Sequence, residues 1–403
     1  GLDRITPAGS LRRGRETAGD LDILVTGPGC AEDTVAGAVE HTASCPLVAT
    51  LLARGANKVS FRMRSGLQVD VRLLPEGSFG AALQYFTGSK THNVSIRQRA
   101  LRRGYTLSEY ALARVEDGAF VAGSSEEEIY AALGLQWIPP ELRENNGEIE
   151  LAETGRLPKL IEQADIRGDL HMHTVATDGK NTVAEMAEAA IALGYEYIAI
   201  TDHSKQLAMT NGLDDRRALE HIRHIREVDA QMEGRIRVLP GIEVDILADG
   251  TLDLSDEVLA QMDIVVASTH SHFAQQEQEL TERLLRAVEN PYVRILGHLT
   301  GRLILRREPM RFDVTAVLRR ASELGCAVEH NASPERLDLS DTHLRLARKL
   351  GCTLLINTDA HADSGLGRLQ YGVRQLRRAG LRAEDILNTR PFAGFMNGLR
   401  ARP

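Results

Sequence analysis

Seven times between Arg167 and His361 the chain climbs through an apolar, strand-like run and ends it on a histidine, glutamate or aspartate. The runs lead into His171-Met172-His173, Asp202-His203, Glu243, Thr269-His270, His298, Glu329-His330-Asn331 and Asp359-Ala360-His361. Successive run ends lie roughly thirty residues apart, the length of one strand, one helix and two short loops. Strand and helix alternating at that spacing predict a parallel α/β barrel. No repeated motif accompanies the period, and no tract is of low complexity, so the recurrence belongs to the architecture.

His171 and His173 are two positions apart, so on a strand both side chains point to one face, as shared chelation requires. Asp178 follows on the loop Thr174 to Gly179, and Asp359 and His361 repeat the same spacing at the last run. With His203, Glu243, His270 and His298 these make nine candidate ligands at or just beyond strand C-terminal ends, the face that carries the chemistry of parallel barrels. Imidazole with carboxylate suits Zn²⁺, Mn²⁺ or Fe²⁺, and nine donors exceed what one ion uses, so two or three ions are expected. Clustered divalent ions activate a bridging water and hold both attacking and leaving oxygens, which is the logic of phosphoester hydrolysis. A lone histidine is ordinarily a core or surface residue with its polar atoms satisfied; nine ligands at matching strand ends reverse that expectation. Asp202 is expected to orient an imidazole, while His221, His224, His272, His330 and His343 read as ordinary.

A chain of 403 residues exceeds the usual single core, so two or more domains are expected. No apolar run approaches the ~18 residues of a membrane span, and no signal-peptide pattern opens the chain, so a cytoplasmic protein without a membrane partner is expected. Cys30, Cys45, Cys326 and Cys352 lack paired spacing and read as reduced thiols. The net charge of −8 is unevenly spread: residues 1–105 hold 14 Lys and Arg against 9 Asp and Glu, and the remainder 34 against 47. A basic N-terminal part suits a phosphate backbone, and an acidic C-terminal part suits metal ions. The first residues read as a strand entry and not as a natural start, and an N-terminal piece is expected to be missing. Strands are predicted over Leu21 to Thr26, Lys58 to Met63 and Gln68 to Leu74, with a helix near Glu32 to Glu40. Residues 79–135 look more helical, and Pro139-Pro140, Asn145-Asn146-Gly147 and Pro158 mark a connection between domains.

Gly9-Ser10 opens a flexible turn, Arg12 and Arg13 follow, and Asp20 and Asp22 share a face of the next strand. Asp70 on another predicted strand supplies a third carboxylate. Three oxygen ligands, backbone amides near Gly9 and Gly19, and cationic Arg13 suit two Mg²⁺ ions on a nucleoside triphosphate.

Two resemblances follow from these residues. Gly168-Asp169-Leu170-His171-Met172-His173-Thr174, Thr201-Asp202-His203-Ser204, Gly241-Ile242-Glu243-Val244-Asp245, Ser268-Thr269-His270-Ser271 and Asn357-Thr358-Asp359-Ala360-His361 resemble the metal motifs of the PHP (polymerase and histidinol phosphatase) family. That resemblance implies a distorted seven-stranded β/α barrel with a trinuclear centre, whose nine ligand positions all match. Leu299 departs from the proline that often follows the histidine matching His298, and Arg336 is implied as a substrate-phosphate contact. The N-terminal segment resembles the palm of family X DNA polymerases, of the nucleotidyltransferase superfamily. Asp20, Asp22 and Asp70 match its metal-binding triad, and Ser10, Arg13 and Gly19 its triphosphate contacts. Tyr85-Phe86-Thr87-Gly88-Ser89 is similar to the thumb motif, implying Tyr85, Phe86 and Gly88 at the sugar, Asn93 at the base edge and Arg97 at the template.

In this order the two resemblances imply a palm at 1–78, a thumb at 79–137, a linker at 138–165 and a PHP barrel at 166–403. They imply a monomeric repair enzyme that fills gaps with deoxynucleoside triphosphates and processes recessed 3′ ends or abasic sites of DNA. Mg²⁺ would serve the palm, and Mn²⁺ or Zn²⁺, three ions in all, the barrel. The alternatives are a small-molecule phosphatase similar to histidinol phosphate phosphatase, or a barrel whose metals only stabilise a scaffold.

Overall fold

The computed structural model describes residues 1–399. They form two compact units, one ending at Pro158 and one starting at Lys159.

The first unit is built on β1 (Arg4–Pro7), β2 (Asp20–Thr26), β3 (Val48–Arg54), β4 (Lys58–Met63) and β5 (Gln68–Leu73), in the order β1-β2-β5-β4-β3. Only β2 and β5 run parallel, which sets Asp22 directly beside Asp70. Alternation along β2 sends Leu24 to one apolar cluster, with Leu74, Phe79 and Leu83, and Val25 to another, with Val59, Val69 and Val71. The edge strand β3 is almost wholly exposed and was not legible in the sequence, because V-A-T-L-L-A-R carries no alternation to mark a buried face. Beyond the sheet lie helices Phe79–Thr87 and Lys90–Arg102, then a three-stranded antiparallel meander of β6 (Tyr105–Leu107), β7 (Leu112–Arg114) and β8 (Phe120–Ala122), and the helix Glu126–Ala132. Part of the expected linker is packed here: Ile138, Ile149 and Ala152 are buried with Ile96, Leu112, Ile129 and Tyr130.

The second unit is a parallel seven-stranded sheet in sequence order, nearly closed into a barrel: β9 (Gly168–Asp169), β10 (Tyr197–Ile200), β11 (Arg237–Asp245), β12 (Ile264–Ser268), β13 (Ile295–Leu296), β14 (Ala327–Asn331) and β15 (Leu354–Asn357). A helix follows each strand, as the thirty-residue period predicts. Because both faces are covered, the strands read as continuous apolar runs. Ile198, Ile200, Val265 and Ile356 pack outward against the helices, while Tyr197, Ala199, Val266 and Leu355 fill the interior. The helix Phe392–Gly398 plugs one end, with Phe395 stacked on Tyr197.

Closure between β9 and β15 is made by side chains as much as by backbone. Met172 bridges Ala360 in parallel, and His173 N–H donates to the Ala360 carbonyl at 2.8 Å. The Asn357 side chain accepts from Leu170 N–H at 3.0 Å, and Asp169 accepts from Thr358 N–H at 3.2 Å. β9 is thus only two residues long, and His171 and His173 stand just past it instead of within a strand.

Candidate metal centre

At the C-terminal ends of β9 to β15 the nine barrel residues converge. His171, Glu243 and His298 form one group, and His203, Glu243 and His270 a second. His171, His173 and Asp359 form a third, and His173, Asp178, His203 and His361 a fourth; within each group the ligand atoms lie within 4.8 Å of one another. Glu243 is the hub. Its Oε1 lies 2.9 Å from His298 Nε2, 3.3 Å from His171 Nε2 and 3.4 Å from His270 Nε2, and its Oε2 2.9 Å from His203 Nδ1. Asp359 Oδ1 sits 3.1 Å from His173 Nε2, and Asp178 Oδ2 3.3 Å from His361 Nε2.

The pairs made by Glu243 are close without being hydrogen bonds, whereas His173 Nε2 and Asp359 Oδ1 do meet in hydrogen-bond geometry. Both Glu243 oxygens, His171 Nε2, His203 Nδ1 and His298 Nδ1 are buried and have no hydrogen-bond partner. A fully buried carboxylate without donors is costly unless a cation takes their place. Donor atoms converging on common points, with nothing between them to share a proton, are what a set of ions fits. His298 and Asp359 have φ of 24° and 55°, in the positive-φ region that non-glycine residues adopt uncommonly.

Around the donors lies a ring of orienting groups. Glu329 Oε1 accepts from His171 Nδ1 at 2.7 Å, which leaves Nε2 as the lone pair facing Glu243 and Asp359. Glu329 also accepts from His298 N–H at 2.7 Å and Asn357 Nδ2 at 2.9 Å. Asp245 does the same for His270 Nδ1 at 3.0 Å. Neither Glu329 nor Asp245 was foreseen as part of the site. The signal was present: Asp245 lies two residues from Glu243 on the same face of β11, and Glu329 ends one of the seven runs. Asp202, expected to orient an imidazole of the metal set, is instead paired with His221 at 2.8 Å, and it also accepts from Thr174 N–H at 2.8 Å and Thr174 Oγ1 at 2.7 Å. His221, read as ordinary, is thereby a support of the loop that carries Asp178. His330, read as ordinary, donates Nδ1–H to the Leu339 carbonyl at 2.9 Å, while its buried Nε2 has no hydrogen-bond partner.

The titration of the cluster reflects crowding. Burial pushes His171 down, yet the carboxylates of Glu329, Glu243 and Asp359 outweigh it and carry it well above the usual imidazole value. Burial and the neighbouring His203 hold His173 down to about 4. Glu243 is driven well below the usual carboxylate value by His270, His171 and His203, against the effect of its burial. Arg336 stands at the rim, its Nε 3.5 Å from Asp359 Oδ2, while its Nη1 is buried without a hydrogen-bond partner.

The first unit gathers its own set. Asp20 and Asp22 share a face of β2, and Asp70 lies beside Asp22 on β5. Burial, then the charges of Asp20 and Asp70, raise Asp22 to about 6. Burial raises Asp70 as well, but hydrogen bonds from Ser60, from Gln68 Nε2 at 2.9 Å and from Lys58 Nζ at 3.1 Å win and leave it lowered. Gly9 has φ of 59°, and a Cβ there would stand 2.1 Å from Asp22 Oδ2, so only glycine lets the Gly9-Ser10 turn pass over the carboxylates. Gly19 lies exposed just before Asp20. Arg13 donates to Glu144 Oε1 at 3.1 Å and to the Thr87 carbonyl. Beyond Gly88, Tyr85 carries the Arg97 guanidinium 5.2 Å from its ring, and Phe86 that of Arg72 at 4.8 Å. Asn93 is buried, with its amide donating to the Tyr85 carbonyl at 2.6 Å and accepting from Gln84 Nε2 at 2.9 Å.

The DNA polymerase beta thumb family matches residues 82–144, and the PHP domain family matches residues 169–324. The PHP match stops short of Asp359 and His361, which the fold nevertheless brings into the cluster. The DNA polymerase/3′-5′ exonuclease PolX of Bacillus subtilis strain 168 is 43% identical over 389 residues, 96% of this chain and 67% of that protein. A protein named "probable phosphatase" from Thermoanaerobacter sp. strain X514 is 28% identical over 232 residues, 55% of this chain and 89% of that protein. Among solved structures, the ternary P/T complex of Leishmania infantum polymerase beta matches 35% of this chain and 67% of that chain at 27% identity, with a TM-score of 0.31. The likeness to the Bacillus protein runs through both units, thumb and PHP alike, and the chain belongs to the PolX family of DNA polymerases.

Proposed function

We propose that this chain joins two metal-dependent centres acting on DNA: nucleotide addition at Asp20, Asp22 and Asp70, and removal of 3′-terminal nucleotides at the barrel mouth. The observation that carries the second centre is the convergence of six imidazoles and three carboxylates, with Glu243 as the hub whose buried oxygens lack any hydrogen donor. In this reading residues 1–78 are the palm, 79–137 the thumb, 138–165 the linker and 166–403 the nuclease. The substrates are gapped or recessed DNA and deoxynucleoside triphosphates, and the protein works as a cytoplasmic monomer. No helix among the described residues is long and apolar enough to cross a membrane.

In the barrel, His171, His173, Asp178, His203, Glu243, His270, His298, Asp359 and His361 would hold about three Mn²⁺ or Zn²⁺ ions. When bound, such ions supply an activated water and charge stabilisation for an in-line attack on a phosphodiester. Glu329 and Asp245 fix the tautomers of His171 and His270, so that their free lone pairs face inward. Arg336, with a buried N–H lacking a partner, offers a charge-assisted contact to a non-bridging phosphate oxygen. In the palm, Asp20, Asp22 and Asp70 would hold two Mg²⁺ ions, and the Ser60, Gln68 and Lys58 contacts keep the Asp70 carboxylate ionised and aimed. Ser10, Arg13 and the amides at Gly9 and Gly19 receive the triphosphate, Tyr85, Phe86 and Gly88 face its sugar, and Asn93 and Arg97 contact base and template.

Separate inactivation tests the assignment. His173→Ala with Asp359→Ala removes 3′ nuclease activity and leaves primer extension in place, and Asp20→Ala with Asp22→Ala does the reverse. Degradation of primers by the first double variant at the unmodified rate would refute the barrel assignment. A second reading, a phosphomonoesterase, draws on the relatives named "probable phosphatase", which match 55% of this chain. Faster turnover of a small phosphomonoester than of a recessed duplex by the same sample would favour it.

A further inference from the structure

Two large apolar side chains stand almost bare in solvent, Met209 at 96% and Leu305 at 93% exposure, against 67% for Ile5, which comes next. Leu305 differs from an ordinary surface leucine in how its backbone is held. It is the tip of a tight turn whose flanks pair as Leu303 with Arg307, with N–H···O distances of 2.9 and 2.8 Å. Its φ of 61° is one a branched side chain rarely adopts, so the turn accepts strain and exposes apolar surface at the same residue. Gly in that position would be easier on both counts.

The turn is rooted in the metal centre. It leaves β13 directly after His298, with Gly301 N–H donating to the His298 carbonyl at 2.8 Å. Ile304 N–H donates to the Glu335 carbonyl at 2.7 Å, and Arg302 Nε to the Arg336 carbonyl at 2.8 Å, tying it to the loop that places Arg336 beside Asp359. Arg307 donates to the Gly301 carbonyl at 2.8 Å and lies 3.9 Å over the Phe273 ring. A rigid apolar tip, flanked by Arg302, Arg306 and Arg307, therefore stands on the same loops that carry a candidate ligand and a candidate phosphate contact.

A paired 3′ terminus cannot present its last phosphodiester to a recessed site while its base remains stacked and paired. Opening that pair costs free energy, which an apolar side chain stacking in place of the lost base offsets. Arginines at the flanks suit the adjoining phosphates. We propose that Leu305 is a wedge that stacks on the penultimate base pair of a duplex 3′ end and frees the terminal nucleotide for the barrel site. The proposal rests on the DNA-end reading of that site.

The test uses the full chain with Mn²⁺ and one labelled oligonucleotide presented three ways: single-stranded, recessed and matched, and recessed with a mismatched 3′ nucleotide. Leu305→Gly suits the backbone and is expected to melt no lower than the unmodified protein. It should lose about tenfold in rate on the matched end, less on the mismatch, and stay within about twofold on the single strand. Leu305→Phe should restore the matched rate. With 2-aminopurine as the paired 3′-terminal base and a His173→Ala background to prevent cleavage, binding should raise the fluorescence, and adding Leu305→Gly should abolish that rise. An equal loss on all three substrates, or an unchanged matched rate with an unchanged fluorescence rise, overturns the wedge. If the unmodified chain cleaves none of the three, the DNA-end reading falls and the wedge with it.

Discussion

Glu329 touches no candidate ion position directly, yet it fixes two of the residues that do. It holds His171 Nδ1 at 2.7 Å and His298 N–H at 2.7 Å, while Asp169 accepts from His171 N–H at 3.3 Å. Glu329→Gln keeps the size but puts an NH2 where one of the two oxygens accepts, so either the His298 contact or those of His171 and Asn357 must break. Loss of such an orienting partner typically weakens metal affinity about 10- to 100-fold. The expected outcome is a nuclease that needs correspondingly more Mn²⁺ and recovers most of its rate at saturation, read from activity against Mn²⁺ concentration. Asp245→Asn should behave likewise through His270. A rate that stays low at every Mn²⁺ concentration would give these carboxylates a part in the chemistry itself. The same residues mark what the sequence concealed. The candidate ligands announced themselves mostly by ending apolar runs, whereas an orienting carboxylate is recognised only when its partner's ring nitrogen is known to face it.

Among elements, the turn Gly9–Arg12, the helix Glu126–Ala132 and the segment around Arg143 meet at one buried ion triad. Arg12 and Arg143 each donate twice to Glu126, at 2.7 and 2.8 Å and at 2.6 and 3.0 Å. Burial raises the Glu126 carboxyl, but the Arg143 charge and the hydrogen bonds from both arginines override it and hold it well below its ordinary 4.5. A carboxylate lowered by folding contributes stability that is complete above its unfolded value and is lost as pH falls through the folded one. Glu126→Gln leaves the buried Arg143 and the half-buried Arg12 without their counter-charge and should cost about 3–5 kcal/mol in the first unit near neutral pH. The gap between variant and unmodified protein should narrow as pH drops below 4.5, seen in urea unfolding of the full chain followed at Trp137. A gap independent of pH would mean that packing, and not charge, ties these elements together. None of this was visible beforehand, since the three partners are far apart in sequence and sit in segments without periodicity. The elements with a period fared otherwise. β2, β4, β5 and the barrel strands β10 to β15 lie where apolar runs place them, while β9 shrinks to Gly168–Asp169 because side chains of Asp169 and Asn357 replace its backbone pairing.

For the whole molecule, the nine candidate ligands at the barrel mouth, most of them buried, set stability as well as chemistry. Without cations, Glu243 keeps two buried oxygens undonated, and His171 is carried above its usual value by three carboxylates. Ions that bind the folded barrel and not the unfolded chain must then stabilise it by mass action, about 2.7 kcal/mol at a hundredfold excess over the dissociation constant. For a unit of this size that corresponds to a rise of about 5–10 °C in its thermal midpoint. Stripping the protein with chelator and adding back Mn²⁺ should therefore raise one calorimetric transition by that amount. Glu243→Ala should abolish the rise, because the hub that joins two ligand groups is gone, and it should leave primer extension by the first unit unchanged. Arg336→Ala should keep the full thermal rise while lowering nuclease turnover if, as proposed, Arg336 meets a substrate phosphate and not an ion. If Arg336→Ala instead lost the thermal rise along with Glu243→Ala, the guanidinium would belong to the architecture of the cluster, and the phosphate contact assigned to it would have to be sought elsewhere on the rim.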